Sequence, residues 1–235
     1  MSGWKPHYVL PGPVPVLHRL AEDLANGNIL AAAAVTMRRA ALGFGMALLL
    51  GSAVGIAVSS NAYLRRAIGA LITGLQTMPS IAWFPLAILL FQLSERAIQF
   101  VVVLGAAPAI AVGIIAGIDQ IPPLLLRAGR VLGARGLATY RHVVLPAALP
   151  GFAGGLKQGW AFAWRSLMAG ELLVIISNRS SLGVRLQLAR EISDAEGLLA
   201  GMLVILIIGI LVDLLVFGRL DEAVRKRWGR GGLAH

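Results

Sequence analysis

Three stretches of this 235-residue chain carry no charged side chain: residues 40–64, 67–94 and 97–118. Each is long enough to cross about 30 Å of hydrocarbon as an α-helix. Two more apolar stretches, 143–176 and 197–218, reach the same length but enclose Lys157, Arg165, Glu171 and Asp213. The pattern predicts an all-α membrane protein with about five transmembrane helices, at 37–58, 68–93, 98–118, 147–176 and 198–217. Small residues recur every four positions within them: Ala47, Gly51 and Gly55, then Gly113 and Gly117, then Gly151, Gly155, Gly159 and Ala163. Such stripes let backbones approach closely where lipid offers no hydrophobic drive for association.

Composition agrees, with 57% hydrophobic residues, 14% charged residues and a mean hydropathy of +0.79. Lys and Arg number 21 against 11 Asp and Glu, a balance that brings nucleic acid to mind. In a multispan chain the excess fits cytoplasmic loops better, so no nucleic-acid partner is expected and membrane lipid is. The absence of cysteine excludes disulfides and thiolate metal sites, and His7, His18, His142 and His235 show no ligand spacing. No metal site follows. Residues 1–30 hold the Pro-rich run "YVLPGPVPV" without a continuous apolar core, so no cleavable signal peptide is evident. Alternation of the five spans puts the loops around 65 and 119–146 and the tail on one side. That side carries somewhat more Lys and Arg, which makes it cytoplasmic and leaves the N-terminus outside.

The stretch "RAGRVLGARGLATYRHVVLPAALPG", residues 127–151, interrupts the apolar runs. Ala128, Val131 and Leu132, then Leu137, Tyr140 and Val144, recur at near-helical spacing between arginines. Two short helices joined at Gly133, the second ending at Pro146, are expected there. On physics alone this is an interfacial amphipathic anchor or a docking surface for a soluble partner.

The spacing Arg127-Ala128-Gly129, then Gly133, then Val143, Leu145 and Pro146 resembles the EAA loop of bacterial ABC importer permeases. The stretches "RRAALGFGMALLLGSAVGI", "LQTMPSIAWFPLAILLF", "VLPAALPGFAGGLKQGWAFAW" and "AGELL", with Ser181-Leu182-Gly183, are similar to the branch serving nitrate, sulfonate, taurine and bicarbonate. Two departures stand out. The leading glutamate of the loop is Arg127 here, and the helix that usually precedes the "LPGP" segment is not in the chain, leaving five spans where the family core has six.

The resemblance implies the type I ABC importer permease fold, with an external segment 1–35 and a permease domain 36–218 that includes a cytoplasmic coupling loop 119–146. A basic cytoplasmic tail, 219–235, follows. It implies a multi-pass protein of the bacterial inner membrane that works with two ABC ATPase subunits, a second permease copy or a related permease, and an external solute-binding protein. No GxxxxGK[ST] phosphate loop occurs in the chain. It is therefore a transport subunit and not an enzyme; it has no cofactor of its own, and ATP and Mg belong to the partner ATPase. Contacts to that ATPase fall on Arg127, Ala128, Gly129, Arg130, Gly133, Ala134, Arg135, Tyr140 and Pro146.

A pathway calls for polar residues inside the spans. Thr73, Gln76, Thr77 and Ser80 fall on one face beside Trp83, where Pro79 and Pro85 interrupt the helix. They either bond between helices or line a pore. Lys157, Trp160, Trp164, Met168 and Glu171 share a sector of about 80° at 100° per residue, with Arg165 on its flank. A charge at mid-membrane costs at least about 2.5 kcal/mol, so each needs a partner or water. Lys157 or Arg165 pairs with Glu171 or with the partner permease, or the group forms an electropositive path for an anion. Residues 181–197 read as an amphipathic external helix that caps the gate or meets the binding protein.

The solute expected is an oxyanion of the sulfonate, taurine, nitrate or bicarbonate class, with a small heterocycle such as a pyrimidine precursor as the alternative. A secondary transporter or channel would show an internal repeat, and none is evident.

Overall fold

The computed structural model describes residues 11–176 and 180–228, and every regular element among them is helical. Lys5, His7, Arg179, Arg230 and His235, with the ends of the N-terminal segment and basic tail, lie outside the described residues.

A short helix α1, Pro13–Ala25, opens with proline in its first turn, where a missing N–H costs nothing. Gly27, at φ +69°, turns the chain into α2, Asn28–Ser60. This helix begins well before residue 37, because its buried stripe runs upstream of the uncharged run. Ile29, Ala32, Thr36, Arg39, Gly43, Ala47, Gly51 and Gly55 are all buried on it at steps of three or four.

Asn61 caps α3, Ala62–Thr77, accepting from the Tyr63 and Leu64 amides at 2.8 and 3.3 Å. The expected span 68–93 is not one helix. It breaks at Met78-Pro79, passes through one tight turn, Ser80–Trp83, and resumes as α4, Phe84–Phe91, bent by 104°. Pro85 causes no break, since it occupies the first turn of α4.

α5, Glu95–Asp119, is the centre of the molecule, packed between α2 and the long helix α8, Leu145–Leu173. The glycine stripes do this. A Cβ on Gly113 would overlap the Gly155 backbone, one on Gly117 the Ala148 carbonyl, and one on Gly51 the Ala107 carbonyl. Between them lie α6, Pro123–Val131, and α7, Leu137–Thr139. After α8 come α9, Leu182–Glu191, α10, Ala195–Val212, and α11, Arg219–Trp228, the last two joined by a wide helical turn, Asp213–Gly218.

Among the described residues, three helical segments are long and apolar enough to cross a membrane: Asn28–Ser60, Glu95–Asp119 and Ala195–Val224. The bent pair makes a fourth. At 29 residues α8 has the length of a span, about 43 Å at 1.5 Å per residue. Its glycines and its Lys157, Arg165 and Glu171 make it less apolar, as suits a helix buried against α5.

Candidate functional site

The segment expected to be the coupling loop folds as a helical hairpin at one end of α8. The last turn of α6 closes with the Leu132 amide donating to the Ala128 carbonyl at 3.0 Å and the Ala134 amide to the Gly129 carbonyl at 2.9 Å. Gly133, at φ +86°, makes that closure possible, since a left-handed residue after the last turn lets the chain reverse. Gly129 is buried because Val143 lies against it, where a Cβ would come within 2.7 Å of a Val143 methyl. Pro146 does not end a second helix as expected. The chain runs from α7 through a wide turn, Tyr140–Val144, straight into α8, with Pro146 in the first turn.

Arg127, Ala128, Arg130, Gly133, Arg135 and Tyr140 are exposed, and Ala134 and Pro146 half-buried. The apolar residues between them are not tucked in. Val131 and Leu132 are each 87% exposed and Leu137 84%. An isolated exposed aliphatic side chain is ordinary; three on one hairpin tip form a surface with arginines around it that suits a protein contact. Behind the hairpin lies an apolar groove of about 670 Å³ lined by Ile56, Ile114, Leu137, Tyr140, Val144 and Phe152.

The expected pathway residues differ in their exposure and partners. Thr73 and Thr77 are exposed, and their hydroxyls donate to their own helix, to the Gly69 and Gly74 carbonyls at 3.2 and 2.8 Å. Gln76, Ser80 and Trp83 are half-buried. On α8, Trp160 is buried in an aromatic cluster, edge-on to Phe44 at 5.4 Å and stacked on half-buried Trp164 at 6.1 Å. Lys157 pairs with Asp213 at 3.1 Å, not with Glu171. Arg165 lies exposed over the Phe162 ring at 4.8 Å. What α8 does present is a stripe of Gly154, Lys157, Gln158, Ala161 and Arg165, exposed at helical spacing. Two bases and an amide on the open face of a membrane helix suit water or a partner, not lipid.

Glu171 stands apart from that stripe. It is 0% exposed, and its partner is Arg39. The Arg39 guanidinium donates from Nη1 to Glu171 Oε1 at 2.9 Å and grips Glu95 with Nε and Nη2 at 2.8 and 2.6 Å. Thr36 Oγ1 donates to Glu171 Oε2 at 2.9 Å and accepts from the Leu182 amide at 3.1 Å, while the Gly183 amide donates to Glu171 Oε2 at 3.0 Å. Four helices meet there: α2, α5, α8 and α9. Arg39 was readable from sequence only as a flanking base at the edge of a span. The clue to its burial is the stripe of α2 that continues upstream through Thr36 and Ile29.

Residues 47–226 match the family described as binding-protein-dependent transport system inner membrane component. A probable ABC transporter permease of Brucella melitensis is 31% identical over 219 residues, covering 93% of this chain and 86% of that protein. The taurine transport system permease of Escherichia coli is 30% identical over 210 residues, covering 87% and 75%. Among solved structures, the MetNI methionine ABC transporter in an inward-facing conformation is similar in fold. Its TM-score is 0.69 at 21% identity, over 83% of this chain and 95% of that one.

Proposed function

The chain belongs to the family of inner-membrane components of binding-protein-dependent ABC importers, and from that premise we propose that it imports a small oxyanion of the sulfonate, taurine, nitrate or bicarbonate class. Membership makes it a transport permease that works with an ATPase and a solute-binding protein. In the proposed arrangement two ATPase subunits bind ATP and Mg and seat the hairpin of α6 and α7, and a second copy or a related permease completes the pathway. The N-terminus and α9 face outward, and the hairpin and α11 face the cytoplasm.

The observation that carries the anion reading is the exposed stripe on α8. Lys157 is neutralised by Asp213, and Arg165, whose Nε donates to the Ala161 carbonyl at 3.1 Å, meets no carboxylate among the described residues, so its terminal nitrogens are the cationic donors on that face, with Gln158 about two turns away to donate a hydrogen bond. A guanidinium suits planar and tetrahedral oxyanions because its fork donates two parallel hydrogen bonds. A relative named for taurine, which ends in a sulfonate, agrees with that chemistry.

The coupling part rests on the apolar tip Val131, Leu132 and Leu137, a surface that gains by being covered. ATP-driven closure of the ATPases pushes the hairpin, and α8, continuous with it, carries the movement to the pathway.

The test is uptake by the complete transporter in proteoliposomes, with sulfonate, taurine, nitrate and bicarbonate offered through the binding protein. Arg165→Gln is expected to abolish anion uptake while the complex assembles normally. Unchanged uptake removes Arg165 from the path, and loss of assembly makes it structural.

A further inference from the structure

The buried cluster at the far end of α8 has no part in the pathway just described, yet it is the most densely bonded group of polar side chains in the described residues. Glu171 lies near the C-terminal end of α8, whose opposite end is continuous with the coupling hairpin. The helix is braced along the way by α5, at the Gly113–Gly155 and Gly117–Gly151 contacts. On its other side Glu171 takes the Gly183 amide, in the first turn of α9, and the hydroxyl that takes the Leu182 amide belongs to Thr36. Ser181 caps α9 by accepting from the Val184 amide at 3.4 Å, and Glu171 adds a second acceptor at the same end, where the positive end of the helix dipole faces it. A Cβ on Gly183 would overlap that of Glu171, so the two backbones are in direct contact.

Arg39 completes the arrangement asymmetrically. Its bond to Glu171 is sealed, whereas Glu95 keeps 40% of its side chain exposed. From the outer side α9 is held again: Arg185 pairs with Asp23 of α1 at 2.8 Å, and Arg19 of α1 pairs with Asp194 at the α10 cap at 3.2 Å. An external helix is thus fixed, through two backbone amides and one carboxylate, to the rod that ends in the ATPase contact.

We infer that Thr36, Arg39 and Glu171 form a joint that transmits the state of the external side, sensed at α9, along α8 to the coupling hairpin. They act as positioning residues, and none of them touches solute. The inference rests on the orientation and ATPase docking proposed above. Its content is that stimulation of ATP hydrolysis by the loaded binding protein passes through the Thr36–Glu171–Gly183 bonds.

Thr36→Val is nearly isosteric and removes both hydroxyl bonds; Thr36→Ser restores them. In the full transporter, reconstituted with its ATPase and binding protein, Thr36→Val is expected to keep basal ATP hydrolysis. Its stimulation by solute-loaded binding protein falls about tenfold, within the usual range of coupling between sites. Thr36→Ser is expected to retain stimulation within about twofold of wild type, a change smaller than that range. Equal stimulation in Val and wild type, or equal loss in Val and Ser, overturns the joint. Should Thr36→Val fail to assemble, Arg39→Lys decides, because it keeps the charge but cannot make both contacts of the fork. An assembled Arg39→Lys transporter with wild-type stimulation overturns the proposal, and a selective loss of stimulation supports it. Absent basal hydrolysis in the wild-type complex would instead count against ATPase docking itself.

Discussion

The two ends of α8 break the ordinary rule of burial in opposite directions. At the hairpin end, Val131, Leu132 and Leu137 stand more than four-fifths exposed; at the other end Arg39 and Glu171 are 4% and 0% exposed. The charged end is complete within the chain, since the polar groups that face Glu171 satisfy both its oxygens. The apolar end is not, because nothing among the described residues covers those side chains. Self-sufficient irregularity holds a fold together, and irregularity that leaves a surface open marks where another molecule belongs. One helix links the two.

The largest effect expected breaks the sealed end. Arg39→Ala leaves Glu171 buried with its charge uncompensated, which costs about 3–5 kcal/mol in comparable buried pairs. Thermal unfolding of the purified protein in detergent should show a fall of several degrees and reduced assembly. A variant as stable as wild type would mean that the Thr36 and Gly183 bonds suffice for Glu171, and the asymmetry between the two ends would go.

Gly133→Trp acts at the open end. The backbone there has φ +86°, and no atom lies within 4 Å of an added Cβ, so the substitution meets backbone strain and no clash. Such strain costs about 1–2 kcal/mol, too little to unfold the chain at an exposed turn. Membrane insertion should be normal and solute-stimulated ATP hydrolysis lost. Normal coupling would remove the hairpin from the ATPase contact. Leu132→Ser is gentler. At 87% exposure the side chain contributes little within the chain, so stability should stay within about 0.5 kcal/mol. Burial of that leucine by a partner is worth about 1.5–3 kcal/mol, so ATPase affinity measured by titration should fall roughly tenfold or more. Unchanged affinity would put Leu132 outside the interface.

How much of this was legible depends on where each residue's partner lies. The glycine stripes were readable because the requirement is local: Gly113 and Gly155 must be small whichever helix they meet. The hairpin was readable for the same reason, its helix, glycine and second helix being a pattern within a few turns. The break at Pro79 followed from backbone chemistry, and the expected break at Pro85 failed because proline is accommodated in a first turn. The partner of Glu171 was not legible. Lys157 and Arg165 shared its helix and seemed natural, but Lys157 meets Asp213 from the turn after α10, and Glu171 meets an arginine 132 positions away. Angular position along one helix locates a side chain on that helix; it does not say which neighbour covers it. Trp160 shows the same limit, since it shares the sector of Lys157 yet is sealed against Phe44.

The smallest effect expected is also the cleanest test of whether burial, rather than geometry, separates the two ends. Arg65 and Asp119 pair at 2.7 Å, as close as the Arg39 bonds of 2.6–2.9 Å, joining the start of α3 to the end of α5. Residue types and distances are alike. What differs is solvent: the Arg65 and Asp119 side chains are 38% and 47% exposed, against 5% and 0% for Arg39 and Glu171. Water already solvates both exposed charges, so the pair gains little Coulomb energy and salt screens it. Asp119→Asn should therefore cost no more than about 1 kcal/mol, and less at high ionic strength, whereas the cost of Arg39→Ala should be nearly independent of salt. Parallel thermal unfolding of the two variants at low and high salt reads this directly. Equal costs, or equal salt dependence, would mean that proximity alone sets the energy of these pairs, and the sealed end of α8 would then differ from its open end in appearance only.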